Sequence, residues 1–266
     1  MDELNEKSIN NKLNGDIKSR IKVDVRKSVT STNTLLKKIG LQGEKEIYFL
    51  LSDSQTEGRG RLGRTFFSPD TTGLYMSLLL RPSGSPESSV LITTAAAVAV
   101  LRSLEKNGCE NLGIKWVNDI LKNGKKICGI LTESSFLSAG SLDFCVLGVG
   151  INMYEPQNGF PTDIKDTASF AFENERDDLK NRVASDFINE FYVLYENLEK
   201  RAFLQEYKKR SEVLNKSVDV IKNGERRKAY ALDIDENCRL LVEYENNERE
   251  TLSSGEVSIR NIQYKN

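Results

Sequence analysis

Gly58–Pro69 reads GRGRLGRTFFSP, with Arg59, Arg61 and Arg64 set among Gly58, Gly60 and Gly63 and no acidic side chain inside the segment. Its first six residues match the dinucleotide fingerprint G-x-G-x-x-G as a bare pattern. That fingerprint needs a helix starting inside the glycines, so that free N–H groups at the helix N-terminus meet a pyrophosphate. Here RTFFSPD follows, and a proline beside two aromatics predicts an irregular return into the next strand. The pattern is therefore not a Rossmann turn. Two readings of the segment stay open, a mobile basic surface loop and an anion-binding lid. Fixing one residue costs ~1–2 kcal/mol, so ordering about ten of them costs on the order of 10 kcal/mol before the arginines repel one another. A multiply charged anion gripped by bidentate guanidinium contacts, such as a nucleoside triphosphate, can offset such a cost.

Working outward, EIYFLLSD (Glu46–Asp53) and GLYMSLLLRP (Gly73–Pro82) read as the flanking strands. Upstream, Ile21, Val23 and Val25 alternate as in a strand, and TSTN then opens a helix that stops at Gly40. Downstream, Ser85-Pro86-Glu87 starts a helix running to about Asn107. LGIKWVN (Leu112–Asn118), KKICGILTESSF (Lys125–Phe136) and LDFCVLGVGINM (Leu142–Met153) are three more strands, the last two joined by SAGS as a hairpin. Short connections of this kind predict an α+β fold with a mixed or antiparallel central sheet flanked by helices. Leu179, Val183, Phe187, Phe191, Leu194 and Leu198 recur at helical spacing, giving a helix from Asp177 to about Lys200, with a second around Phe203–Lys216. From Ser217 onward short strands predict a small barrel. The expected division is 1–19 as a tail or short helical cap, 20–216 as the catalytic unit and 217–266 as the barrel.

Lys+Arg 38 against Asp+Glu 39 leaves a net charge of −1, so no global field marks a nucleic-acid or membrane-surface protein, and any basic site must be local. The absence of histidine excludes Ser-His and Cys-His pairs and every His-ligated metal. Cys109, Cys128, Cys145 and Cys238 are scattered without a C-x-x-C, as expected of reduced thiols in a cytoplasmic protein. MDELNEKSINNKLNGD lacks the apolar stretch of a signal peptide, and Val90–Leu104 is too interrupted for a membrane span.

Three further stretches carry chemistry or plain structure. In KWVND (Lys115–Asp119), Trp116 can fill the core while Asn118-Asp119 turns, yet Lys115 sits in an apolar strand where its charge needs a partner. GVGIN (Gly148–Asn152) ends a strand with two glycines that permit close backbone approach. STN (Ser31–Asn33) reads equally well as helix capping.

In order, STN, Gln55, GRGRLGR, KWVND, KKICGIL, GVGIN and GEVSIR form a set that resembles the biotin protein ligases, over about Ser19 to Arg260. The resemblance implies a class II synthetase-like core with an SH3-like C-terminal barrel. It implies activation of biotin by ATP to biotinyl-5'-adenylate, then transfer to a lysine on the biotin carboxyl carrier domain of a carboxylase. On that basis Ser31, Thr32, Asn33, Gln55, Gly58 and Arg59 bind biotin, with backbone near Gly129, Gly148 and Gly150 against its rings. Arg61, Arg64, Phe66, Asn118 and Asn152 face the nucleotide. Lys115 stands between the biotin carboxylate and the α-phosphate, and Asp119 positions metal or deprotonates the acceptor amine. Mg²⁺ accompanies ATP, no protein metal site is expected, and the arginine loop closes as a lid. Arg260 helps at the nucleotide or carrier side.

This sequence departs from the family at Phe66, where tryptophan is usual, and at Val117, where proline is. Only about thirty residues precede Ser31, short of the winged helix that repressor members carry, so the resemblance points to the ligase-only class with no DNA binding. Monomer and homodimer stay open. Competing readings are a lipoate or octanoate ligase, a nucleic-acid-binding module with the arginine loop as its arm, and a transcriptional repressor.

Overall fold

The computed structural model describes residues 2–45, 47–82, 88–137, 141–222, 224–253 and 256–259. In chain order the main elements are α1 (Glu6–Lys12), α2 (Gly15–Arg20), β1 (Lys22–Val29), α3 (Thr32–Leu41), β2 (Tyr48–Gln55), β3 (Gly73–Leu80), α4 (Ser88–Lys106), β4 (Leu112–Lys115), β5 (Asp119–Lys122), β6 (Lys125–Phe136), β7 (Leu142–Asn152), α5 (Leu179–Glu196) and α6 (Leu204–Lys209). Seven strands form one sheet in the order β1-β2-β3-β7-β6-β5-β4. Only β1 and β2 run parallel; every other neighbouring pair is antiparallel, so the sheet is mixed.

Both faces of the central strands are covered. β3 is buried at all eight positions, which explains why GLYMSLLL is nearly continuous in apolar residues rather than alternating. Tyr48, Leu50, Leu79, Phe144 and Val146 face Leu36 of α3 on one side. Phe49, Leu51, Met76, Leu78 and Leu147 join α4 and α5 on the other. α4 is buried because its alanines, Ala95–Ala97 and Ala99, let it lie close to its neighbours. Among the described residues no helix is long and apolar enough to cross a membrane.

Residues 2–20 pack against this body. Leu4, Ile9, Leu13 and Ile17 are in the core, and α1 is capped by Asn5, whose side chain accepts from Ser8 N at 2.9 Å. The carboxylate of Asp2 is buried; both its oxygens accept from Lys180 N at 3.0 Å, and Oδ2 accepts from the Tyr154 hydroxyl at 2.5 Å. Burial raises its pKa, against the opposing effect of these donors. Asp2→Ala orphans two buried donors and is expected to lower stability by about 1–3 kcal/mol, read from a urea titration. A raised carboxyl pKa contributes most in acid and fades as pH rises through the folded-state value, so the difference from wild type should shrink as pH rises.

The remaining strands, β8 (Ser217–Lys222), β9 (Glu225–Ile234), β10 (Leu240–Tyr244), β11 (Arg249–Leu252) and β12 (Glu256–Ile259), form an antiparallel sheet in the order β11-β10-β9-β8-β12. Among the described residues no ladder joins β11 to β12. Its apolar face, with Val218, Ala231, Leu240 and Val242, is continuous with the main core.

Three segments differ from the sequence expectation. LGIKWVN is not one strand: β4 ends at Lys115 and β5, only four residues long, begins at Asp119. The helix expected to reach Lys216 stops at Lys209, because the chain leaves it to bond Ile114 through Arg210 O and Glu212 N, each at 2.8 Å. The helix expected to reach Lys200 ends at Glu196 and is followed by a short 3₁₀ turn at Leu198–Lys200. The Ser85-Pro86-Glu87 helix start, most of the SAGS turn and Arg260 lie outside the described residues.

Candidate active site

The α3 side of the sheet has an apolar end and an open end. Along β7 the same face carries Phe144, Val146, Gly148, Gly150 and Asn152; α3 covers the first two, and the glycines leave a cavity of about 740 Å³ over the rest. A Cβ on Gly148 would overlap the Asn33 amide, one on Gly150 would lie 2.6 Å from the Phe66 ring, and one on Gly129 3.1 Å from it. The sequence reading reserved these glycines for a ligand. In the structure their first use is to admit Asn33 and Phe66.

Strand register places the charged groups. Lys115, Asp119, Gly129, Gly150 and Tyr75 are successive partners in one row across β4, β5, β6, β7 and β3, so their side chains share a face. The Phe66 ring lies over the two glycines, edge-on to Tyr75 with centroids 6.4 Å apart. Lys126 Nζ stands 5.9 Å from the Phe66 centroid and 2.7 Å from Asp119 Oδ1. The Trp116–Val117 peptide in the turn beside them is cis.

One wall is a hydrogen-bonded cluster at the N-terminus of α3. Ser31 caps the helix, accepting from Thr34 N at 3.4 Å. Gln55 Oε1 accepts from Thr32 N at 2.9 Å, and Gln55 Nε2 donates to Ser68 Oγ at 3.0 Å. Ser77 Oγ lies 2.7 Å from Thr32 Oγ1 and 2.6 Å from Asn33 Oδ1. The Asn33 carbonyl can only accept, and Ser77 has one proton, so that proton goes to Asn33; the Thr32 proton goes to Ser77 or to Gln55 Oε1, 3.1 Å away. Asn33 Nδ2 donates in turn to Glu133 Oε2 at 3.0 Å.

The arginine segment crosses the mouth as a narrow hairpin. Arg59 and Thr65 form a bridge, Gly60 N donates to Arg64 O at 2.7 Å, and Phe66 N donates to Gly58 O at 2.9 Å. Its tip is a 3₁₀ turn at Arg61–Gly63 with Leu62 and Gly63 at positive φ. The ordering cost that the sequence argument assigned to an anion is met in part by the protein: Arg59 pairs with Glu133 at 3.1 Å and Arg61 Nη1 donates to Asn118 Oδ1 at 2.9 Å. Arg59, Arg61, Arg64, Lys115, Lys126 and Lys216 line the cavity against Asp119, Asp166 and Glu212, an excess of cations. Lys115 has no hydrogen bond or ion pair among the described residues.

Residues 25–152 match the biotin/lipoate A/B protein ligase family, and residues 213–260 match the biotin protein ligase C-terminal domain. The chain carries a biotin/lipoate A/B protein ligase domain followed by a biotin protein ligase C-terminal domain. Among members of this ligase family it is 29% identical over 252 residues to a biotin–[acetyl-CoA-carboxylase] ligase of Mycobacterium tuberculosis, covering 90% of each chain. It is 37% identical over 141 residues to the bifunctional ligase/repressor BirA of Bacillus subtilis, a match of 53% of this chain that spans 43% of that relative's length. The biotin protein ligase of Aquifex aeolicus in complex with biotin and ATP superposes with a TM-score of 0.70 at 27% identity, over 90% of this chain and 98% of that one.

Nearly every residue singled out in the sequence lines the ligase-fold cavity: Ser31, Thr32, Asn33, Gln55, Arg59, Arg61, Arg64, Phe66, Lys115, Asn118, Asp119, Gly129, Gly148, Gly150 and Asn152. Gly58 does not. It lies under the hairpin, where a Cβ would overlap Phe66 O and Ser68 Oγ. Asn118 and Asn152 spend their amide donors on Ile130 O and Ser169 O, each at 2.9 Å, which fixes their orientation.

Three residues with evident parts went unassigned. Lys126 was quoted within KKICGIL without a role. Glu133 shares the face of Gly129 and Leu131 at strand period two, and Ser77 is the one serine in a largely apolar strand. Both signals were present in the sequence.

Proposed function

We propose that this chain is a biotin protein ligase that condenses biotin with ATP and passes the biotinyl group to a carrier-domain lysine of a carboxylase. The observation that carries this reading is that Lys115 and Lys126 line one cavity beside a glycine floor, together with the Thr32–Ser77–Asn33 wall. That arrangement gives one cavity an apolar, hydrogen-bonding end for a small organic acid and a cationic end for phosphates. The ligases named above, one of them bound to biotin and ATP, support the same assignment.

The chemistry asks for charge rather than a nucleophile. The biotin carboxylate attacks the α-phosphorus, a C–O–P bond forms, and the bond to the β-phosphate breaks with its electron pair leaving on pyrophosphate. Two anions must meet, so cations already in place supply the main stabilisation. In this reading Lys115 bridges carboxylate and α-phosphate, Lys126 is held toward the same point by Asp119, and Arg61 and Arg64 face the phosphates. Asp119 acts first through that 2.7 Å pair with Lys126. The acceptor amine then attacks the acyl carbon of the mixed anhydride and AMP departs with the electrons of the acyl–oxygen bond. Gln55 and Arg59 hold the biotin end, and the hairpin keeps water from the anhydride.

No group of three His, Cys, Asp or Glu side chains able to hold a metal gathers among the described residues. We therefore place Mg²⁺ on the triphosphate as part of the MgATP substrate, where the phosphates and water supply most of its ligands. A cytoplasmic site of action, without DNA or membrane, fits the net charge of −1.

The test is biotin-dependent exchange of labelled pyrophosphate into ATP, followed by transfer of labelled biotin to a carrier domain. Exchange with biotin but not lipoate is expected. Equal exchange with lipoate, or none with biotin, overturns the proposal.

A further inference from the structure

The turn carrying Lys115 is held at every position, Lys115 by its pairing with Asp119, while the Lys115 side chain has no partner among the described residues. Ile114 N donates to Arg210 O and Ile114 O accepts from Glu212 N, both at 2.8 Å. The Trp116 indole N–H donates to Cys238 O at 2.9 Å, and Val117 O accepts from the Tyr207 hydroxyl at 3.0 Å. Asn118 is bonded on both sides to Ile130 and receives Arg61. Most of these holds come from α6, the segment after it, and the turn between β9 and β10.

That turn is built to present a carbonyl. Cys238 adopts φ 59°, a left-handed conformation unusual for a residue with a side chain, and Thr94 Oγ1 lies 3.2 Å from its buried sulfur. Asp235 braces the turn by accepting from Asn237 N and Arg239 N, each at 2.9 Å. Tyr207 is fully buried, and burial, followed by the negative potentials of Cys238 and Asp119, raises its phenol well above the usual value, so it stays a donor.

We infer that α6, the segment after it and the C-terminal sheet form a positioning frame for adenylation, in which the bonds of Ile114 to Arg210 and Glu212 hold the chain before Lys115, the Trp116–Cys238 and Tyr207–Val117 bonds hold the residues after it, and together they aim its ammonium. This rests on the ligase reading above. It assigns the C-terminal sheet a part in the first half-reaction, and makes Tyr207 and Trp116 positioning residues rather than catalytic ones. The physical basis is that a flexible four-carbon ammonium acts from a defined point only if its backbone is fixed, and a displacement of about 1 Å costs up to about 10²-fold in rate.

The experiment compares full-length wild type with Tyr207→Phe, Trp116→Phe and Tyr244→Phe in pyrophosphate exchange. Each substitution keeps an aromatic ring. Tyr244 is buried in the same C-terminal sheet with its hydroxyl on Glu250, away from the turn, and serves as the control. For Tyr207→Phe and Trp116→Phe, kcat is expected to fall about 10-fold or more with KM for biotin within about two-fold, while Tyr244→Phe keeps the wild-type kcat. Trp116 is the only tryptophan, so in Tyr207→Phe its emission reports the frame without any turnover. Wild-type kcat and emission in Tyr207→Phe, or an equal fall in Tyr244→Phe, overturn the inference. Should Tyr207→Phe not fold, Trp116→Phe carries the same test. Wild type that exchanges no pyrophosphate overturns the ligase reading instead, a distinct result.

Discussion

Lys115→Ala is expected to lower the rate of biotin-dependent pyrophosphate exchange by about 10²–10³-fold while leaving the unfolding midpoint nearly unchanged. The size follows from removing one preplaced positive group from a site where two anions meet. The small stability effect follows from its lack of partners: Lys115 gives up no ion pair or hydrogen bond among the described residues. Lys126→Ala should lose activity in the same range for the same electrostatic reason, but with a stability cost, because it leaves Asp119 without its 2.7 Å partner. Steady-state exchange and thermal melts on both variants check this. A Lys115→Ala enzyme of wild-type rate would remove that residue from the chemistry.

Gly148→Ala should be nearly as damaging by a different route. Its new methyl would occupy the position of the Asn33 amide, which is committed to Ser77, Leu131 and Glu133 and has nowhere to retreat. Overpacking of this kind costs about 1–3 kcal/mol of stability. Because Glu133, which accepts from Asn33, also pairs with Arg59, the displacement should reach the hairpin, and biotin affinity measured by calorimetry should fall at least about 10-fold. Gly63→Ala, at a position with open space around it, should leave the wall of the pocket untouched and strain only the hairpin's left-handed turn.

The sheet was legible because burial patterns are local. GLYMSLLL and LDFCVLGVGIN announce themselves as strands covered on both faces, and α5 shows its apolar stripe at helical spacing. β5 was not legible, since four residues entered through an Asn-Asp turn carry too little periodicity to separate from the strand before them. The end of α6 was missed for a tertiary reason: pairing with Ile114 outweighs a helical tendency that looks adequate in isolation. Within the site, GRGRLGR displays its charge openly, but its counter-charge on Glu133 lies in a distant strand, and only the folded position of the hairpin brings the two together. The same holds for Phe66. Nothing in TFF says that the first ring lies on two glycines and the second against Phe160.

The hydroxyl-to-amide relay at the pocket wall has a further implication. Because a single proton on Ser77 must serve Asn33, whose amide nitrogen donates to Glu133, the orientations of Ser77 and Asn33 are locked together, and neither can reverse without the other. An incoming guest therefore meets a row of bond dipoles that already point one way. Recognition there requires no rearrangement of the host, and a molecule of the opposite polarity would have to disrupt the bonds from Ser77 to Asn33 and from Asn33 to Glu133 together.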